Sequence, residues 1–128
     1  MSQRRRLYLL AIFLLISSGT AHGIETKASW YSQESCRKEG TSGTYTANGE
    51  RFYDNGLTCA LRSRSWGRMY RVTNSANGKM VIVRHNDFGP GKKATSRGVV
   101  IDLSKGAFDK IADRKLGIIS VSIVNIKS

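Results

Sequence analysis

A chain of 128 residues with a net charge of +12, one proline and two cysteines excludes several architectures at once. It is too short for two ordinary domains, and two histidines and two cysteines are too few for a zinc centre with spare ligands. No metal or organic cofactor is implied, and the positive charge favours a polyanionic partner or an anionic surface.

The first residues read as an export signal. Arg4, Arg5 and Arg6 precede an apolar run from Leu7 to Ile16, and small or polar residues follow from Ser17 to Ala21. The run is too short for a stable bilayer anchor and has the three-part layout of a cleaved leader. Cleavage is expected after Gly23, with Ala21 as the alternative, giving a leader over 1–23 and one domain over 24–128. No cysteine stands near that boundary to carry a lipid, so a soluble exported protein, periplasmic or extracellular, is expected and a monomer is the simplest state. The mature part keeps its excess of lysine and arginine. Outside the cytoplasm the available polyanions are wall polymers and membrane headgroups; nucleic acid is not the expected partner. In an exported domain this small, Cys36 and Cys59 are expected to form a disulfide, which would add roughly 3 kcal/mol.

Short strands with turn punctuation follow, the pattern of a small all-β barrel or sandwich. The first strand is predicted over Lys27 to Tyr31, then a Ser/Gly/charged loop from Ser32 to Gly43 that Cys36 would anchor. Turns fall at Asn48-Gly49 and Asp54-Asn55-Gly56, the latter leading into Leu57 to Ala60. Met69 to Thr73 reads as a half-buried strand. Asn77-Gly78 signals a hairpin, and its partner, Lys79 to Arg84, leads to Asp87. Gly91 to Gly98 reads as a polar basic loop, and Val99 to Ile101 as a strand ending at Asp102. Ser104 is a good N-cap for one helix with Ala107, Phe108, Ile111 and Ala112 on its apolar face. Arg114 and Lys115 suit its last turn and Gly117 its end. Ile118 to Ile126 is the final strand, with Ile119, Val121 and Ile123 facing the core.

The segment His85-Asn86-Asp87-Phe88-Gly89-Pro90 carries the chemistry. An apolar strand running into Asp87 and then Gly-Pro holds one carboxylate at a sharply turned strand end. His85 is the only histidine after the leader. Two residues apart in an extended strand, His85 and Asp87 share a face; the competing reading is a solvated histidine on the barrel. Trp66, between Ser65 and Gly67 in an apparent loop, is expected to be partly exposed and to face a glycan, as sugar faces pack on such rings.

Five pieces in order carry a resemblance: Ala28-Ser29-Trp30-Tyr31, Thr46-Ala47-Asn48-Gly49-Glu50, Val72-Thr73-Asn74 with Asn77-Gly78, Asn86-Asp87-Phe88-Gly89-Pro90, and Ile101-Asp102-Leu103-Ser104. Together they resemble the rare lipoprotein A family from about Ala28 to Val124. The resemblance implies a six-stranded double-psi β-barrel with one short helix, shared with expansins and barwin-like proteins. It implies an exported lytic transglycosylase that cuts peptidoglycan glycan strands and leaves 1,6-anhydro-muramic acid ends. It implies Asp87 as acid/base, with Glu50 and Asp102 as supporting carboxylates; Tyr45, Trp66, His85 and Asn86 are the residues expected beside the substrate. The chain departs from the family pattern at Phe88, usually arginine, and at Leu61, usually a histidine for which His85 would stand in. Those departures leave a rival reading, a non-catalytic expansin- or barwin-like wall-glycan binder.

Overall fold

The computed structural model describes residues 23–126; the leader expected over 1–23 lies outside them but for Gly23. Six strands close into a barrel: β1 (Ile24–Tyr31), β2 (Thr58–Leu61), β3 (Met69–Asn74), β4 (Met80–Phe88), β5 (Val99–Ser104) and β6 (Ile119–Ile126). Around the barrel the order is β1-β5-β2-β4-β3-β6. Two of the neighbouring pairs are parallel, β1 with β5 and β2 with β4, and each register shifts once, between Lys27 and Ala28 and between Cys59 and Ala60. The other pairs are antiparallel. This is the double-psi β-barrel that the sequence motifs imply.

Alternation supplies the core. Ala28, Cys59, Val72, Val81, Val83, Ile101, Leu103, Val121 and Ile123 turn inward, as period-two patterning of a half-buried strand requires. The predicted helix exists but is shorter than its apolar face suggests. Helix α3 (Lys105–Ile111) is capped by Ser104, whose Oγ accepts from Ala107 N at 3.3 Å, and it adds Ala107, Phe108 and Ile111 to the core. Arg114 and Lys115 fall instead in a separate 3₁₀ turn, Arg114–Leu116, closed by Gly117 at φ 71°. The carbonyl of Ile111 at the end of α3 accepts from Asn74 Nδ2 (2.8 Å) and Asn77 Nδ2 (3.0 Å), so the β3–β4 hairpin supplies its cap. At the start of α3, Gly106 lies against the backbone of the 54–56 turn; a Cβ there would sit 2.8 Å from Asn55 Cα.

Two expected loops are partly helical. Helix α1 (Gln33–Lys38) begins with a capping box between Ser32 and Ser35, and helix α2 (Lys92–Ser96) follows Gly91. Neither buries a residue completely.

The expected Cys36–Cys59 disulfide is not formed; both thiols are free. Neighbouring residues of a strand face opposite ways, and Cys59 belongs to the main core while Ala60 faces outward toward a second small cluster with Tyr31 and Phe52. Cys36 packs on that outer cluster, on the other side of β2 from Cys59. Burial pushes both thiols upward, which makes each a poor thiolate for exchange.

Two outcomes follow for stability. Adding a reductant leaves the melting temperature unchanged, and two thiols titrate in denaturant without prior reduction. Phe108→Ala, at a fully buried site, lowers unfolding free energy by about 3–5 kcal/mol in chemical denaturation.

Candidate active site

Four adjacent strands carry one row of residues across the outer face of the barrel. Asp87 of β4 pairs with Ala60 of β2, Ala60 with Asp102 of β5, and Asp102 with Ser29 of β1. The two carboxylates therefore flank Ala60 from either side, with backbones roughly 9–10 Å apart at the usual strand spacing. An open cleft of about 790 Å³ lies over this row. Ser29, Tyr31, Ala60, Asp87 and Asp102 line it from the barrel strands; residues of α1 and the 39–45 segment, Gly91 to Ala94 with Arg97, and Gly117 and Ile118 complete its walls. The two helices missing from the sequence reading are thus the walls of the site.

The two carboxylates sit in different environments. Asp87 accepts three hydrogen bonds: Oδ1 from Ala47 N and from Phe88 N, each 2.9 Å, and Oδ2 from Tyr31 Oη at 3.0 Å. Tyr31 stacks on Phe52 with ring centroids 4.7 Å apart, and its phenol is raised by burial first and then by Asp87, so it remains a donor. Asp102 has a single side-chain partner, Ser29 Oγ, which donates to Oδ1 at 3.0 Å. Burial raises its carboxyl to about 7; Ser29 opposes the shift, and Glu39 and Asp87 add to it.

Glu50 is placed elsewhere. It receives both Arg84 nitrogens at 2.5 Å and Asn86 Nδ2 at 3.1 Å, and Asn48 Nδ2 donates to it at 3.1 Å. Arg84 is the main reason its carboxyl falls to about 2. Glu50, Arg84, Asn86, Thr58 and Tyr53 line a second, smaller pocket. Glu50 does not line the Asp87 cleft. It instead braces the segment from Ala47 to Glu50, where Asn48 N also donates to Asn86 O at 3.3 Å.

Of the residues expected beside a substrate, Tyr45 lines the cleft and is well exposed. Asn86 is buried and turned to Glu50. His85 is fully buried, so neither expected orientation holds. A shift in the β2–β4 register falls beside it, and its ring points between two backbone carbonyls, Nδ1 3.1 Å from Ser65 O and Nε2 2.9 Å from Asp87 O. It touches Asp87 through the backbone, not the carboxylate. Trp66 is partly exposed as expected, but it covers the His85 ring at 4.9 Å and lines neither pocket. Tyr31, Ser29 and the Ala47 amide escaped the sequence reading as members of the site; the alternation Ser29–Tyr31 on β1 was the available signal for the first two. At the lip of the cleft, Arg62 lies over the Phe88 ring at 5.4 Å and donates through Nη1 to Pro90 O at 2.9 Å. Among the described residues no cluster of three or more metal-binding side chains occurs, and no helix is long and apolar enough to cross a membrane.

The Asp102 shift has a thermodynamic sign. Its folded carboxyl binds a proton more tightly than the unfolded chain does, so its contribution to stability is complete below the ordinary carboxylate range and is lost as pH rises to about 7. Asp102→Asn keeps an acceptor for Ser29 and removes that penalty. The variant should be more stable than the parent at pH 8, on the order of 2 kcal/mol after allowing for partial exposure. The gain should vanish near pH 4, as read by thermal melts at both values.

Comparison with known proteins matches this architecture. The family model described as lytic transglycolase matches residues 24–123. A probable endolytic peptidoglycan transglycosylase RlpA of Synechocystis is 44% identical over 96 residues, covering 75% of this chain and 27% of that protein. An endolytic peptidoglycan transglycosylase RlpA of Rickettsia felis is 43% identical over 96 residues, covering 75% of this chain and 39% of that protein. The chain thus spans well under half the length of these relatives. Among solved structures, a mutant Clavibacter michiganensis expansin in complex with cellohexaose aligns at TM-score 0.58 and 23% identity, over 81% of this chain and 51% of that one. A Streptomyces papain inhibitor aligns at TM-score 0.55 and 21% identity, over 83% and 99%. With the matched region taking in nearly every described strand and both cleft carboxylates, the chain belongs to the lytic transglycolase family.

Proposed function

We propose that this protein is an exported endolytic lytic transglycosylase acting on peptidoglycan glycan strands, with Asp102 carrying the proton and Asp87 the fixed negative charge. The observation that carries the assignment is the unequal setting of the two carboxylates over one cleft: three donors converge on Asp87, while Asp102 has one and is kept partly protonated near neutral pH by burial. Two carboxyls in unlike environments over one cleft are a usual mark of divided acid and electrostatic roles. The sequence pattern favours Asp87 as the acid; the hydrogen bonding favours the reverse.

In this reading a muramic acid sits over Ala60. Asp102 donates its proton to the glycosidic oxygen as the bond from C1 to that oxygen breaks. The anion of Asp87 favours the positive charge that grows at C1 and the ring oxygen. The sugar's own C6 hydroxyl closes on C1, forming the 1,6-anhydro bond, and its proton returns to Asp102. No water is consumed, and the catalyst ends as it began, unlike a hydrolase whose second carboxyl manages water or a covalent intermediate. Tyr45 offers an exposed ring for a sugar face. Glu50 acts at a distance, by bracing the loop that presents the Ala47 amide to Asp87. The leader over 1–23, secretion without a lipid, and attraction to anionic wall or membrane surfaces belong to the same reading.

The test is a digest of purified peptidoglycan with product analysis by mass spectrometry. The parent should release anhydro-muramic ends. Asp102→Asn should reduce release by about 10²–10⁴-fold, and the rate of the parent should fall as pH rises through about 7, where Asp102 loses its proton. Ala60→Leu, which fills the space between the carboxylates, should reduce release while the fold persists by circular dichroism. The rival reading is favoured by Leu61, which packs partly buried against the core where the family pattern has a histidine. Sedimentation with the wall and no soluble product at any pH would establish that rival, a glycan-binding module.

A further inference from the structure

The cleft is divided by charge. Lys92, Lys93 and Arg97 line one wall, all three exposed, and helix α2 has no acidic residue among Lys92–Ser96. The ion pairs formed among the described residues are Lys38–Glu34, Arg84–Glu50 and Arg114–Asp109, so none of the three wall cations has a carboxylate within 4.0 Å. Lys27 adds a fourth cation behind them, its Nζ reaching Arg97 O at 3.5 Å. Glu39, Asp87 and Asp102 line other parts of the same cleft. Three exposed cations on one segment, none of them in an ion pair among the described residues, favour an anion at that edge of the cleft. A neutral glycan such as a chain of glucose offers nothing to such a wall.

Resting on the transglycosylase reading, we propose that Lys92, Lys93 and Arg97 form a specificity wall that binds a carboxylate carried on the O3 side of the muramic acid held over Ala60. Asp87, Asp102 and Glu39 disfavour that group elsewhere in the cleft, so the wall sets which edge of the strand enters facing α2. Register follows from orientation: with the acidic substituent against α2, the same edge of the sugar is presented to the carboxylates at each engagement. Two sources share the chemistry. One is the lactyl carboxyl of muramic acid itself, which is an anion only after its amide to the stem peptide has been cut. The other is an acid group within an intact stem peptide.

The experiment compares a wall variant, Lys92→Gln/Lys93→Gln/Arg97→Gln, with a charge-matched control, Lys79→Gln/Lys110→Gln/Arg64→Gln, altered at exposed residues outside both pockets. Substrates are intact strands, peptide-stripped strands, and stripped strands whose carboxyls have been converted to neutral amides. The parent should show KM at least about tenfold lower than the wall variant on an anionic strand, with kcat within about twofold, the pattern of lost binding that is equal in ground and transition states. The control should match the parent. Amidated strands should raise the parent's KM to that of the wall variant and leave the wall variant unchanged. An advantage confined to stripped strands assigns the lactyl carboxylate; one confined to intact strands assigns the stem peptide. Equal behaviour of wall variant and control, or a parent KM unmoved by amidation, overturns the wall. Absence of anhydro ends from the parent on every substrate rejects the transglycosylase reading instead, and co-sedimentation of the same variants with the same strands then decides the wall on its own.

Discussion

The site depends on the placement of one four-residue strand. β2 is the shortest in the barrel, and it runs parallel to β4 and antiparallel to β5. That position puts Ala60 between two carboxylates that lie 15 residues apart in the chain. The register shift between Cys59 and Ala60 decides which residues of β4 and β2 stand side by side. A slip by one residue would send the whole outward row to the inside, leaving Cys59 on the surface and a carboxylate in the core. The inward set, from Val81 and Val83 to Ile101 and Leu103, resists that slip because each of its members is buried. Packing of the apolar face thus fixes the geometry of the polar face.

A second layer of support is polar. Arg84 and Asn86 of β4 reach Glu50, and Asn48 closes the network from within the loop. The same loop presents the Ala47 amide to Asp87. Neighbouring residues of one strand therefore share the work: Arg84 and Asn86 hold the loop, and Asp87 receives what the loop presents. Because Glu50 titrates only near pH 2, this tie outlasts any pH change that moves Asp102.

The strands were legible because half-buried strands must alternate, and Ile119, Val121 and Ile123 or Val81 and Val83 do so without interruption. Helices α1 and α2 were not, because a short helix with no fully buried face has no apolar period to display. The cue for α1 was chemical instead, Ser32 with Ser35 three residues on. Asp87 could be singled out from its local sequence. Its relation to Asp102 could not be read there, since it is a fact of strand order across β4, β2 and β5. The role of Glu50 was hidden for a similar reason: a carboxylate beside an Asn-Gly turn can serve either face of the strand beneath it. The disulfide expectation failed at one residue's parity, with Cys59 facing inward and Ala60 outward.

Phe88 is an exposed aromatic ring at the strand end that carries Asp87. Arg62, from the far end of β2, lies across the Phe88 ring and ties itself to Pro90 O. The lip thus carries a cation from the residue that follows β2, with the Phe88 ring as its seat. The two side chains are coupled: replacing Phe88 by arginine would crowd two guanidinium groups at one lip, and replacing Arg62 alone would leave an exposed ring with nothing to carry.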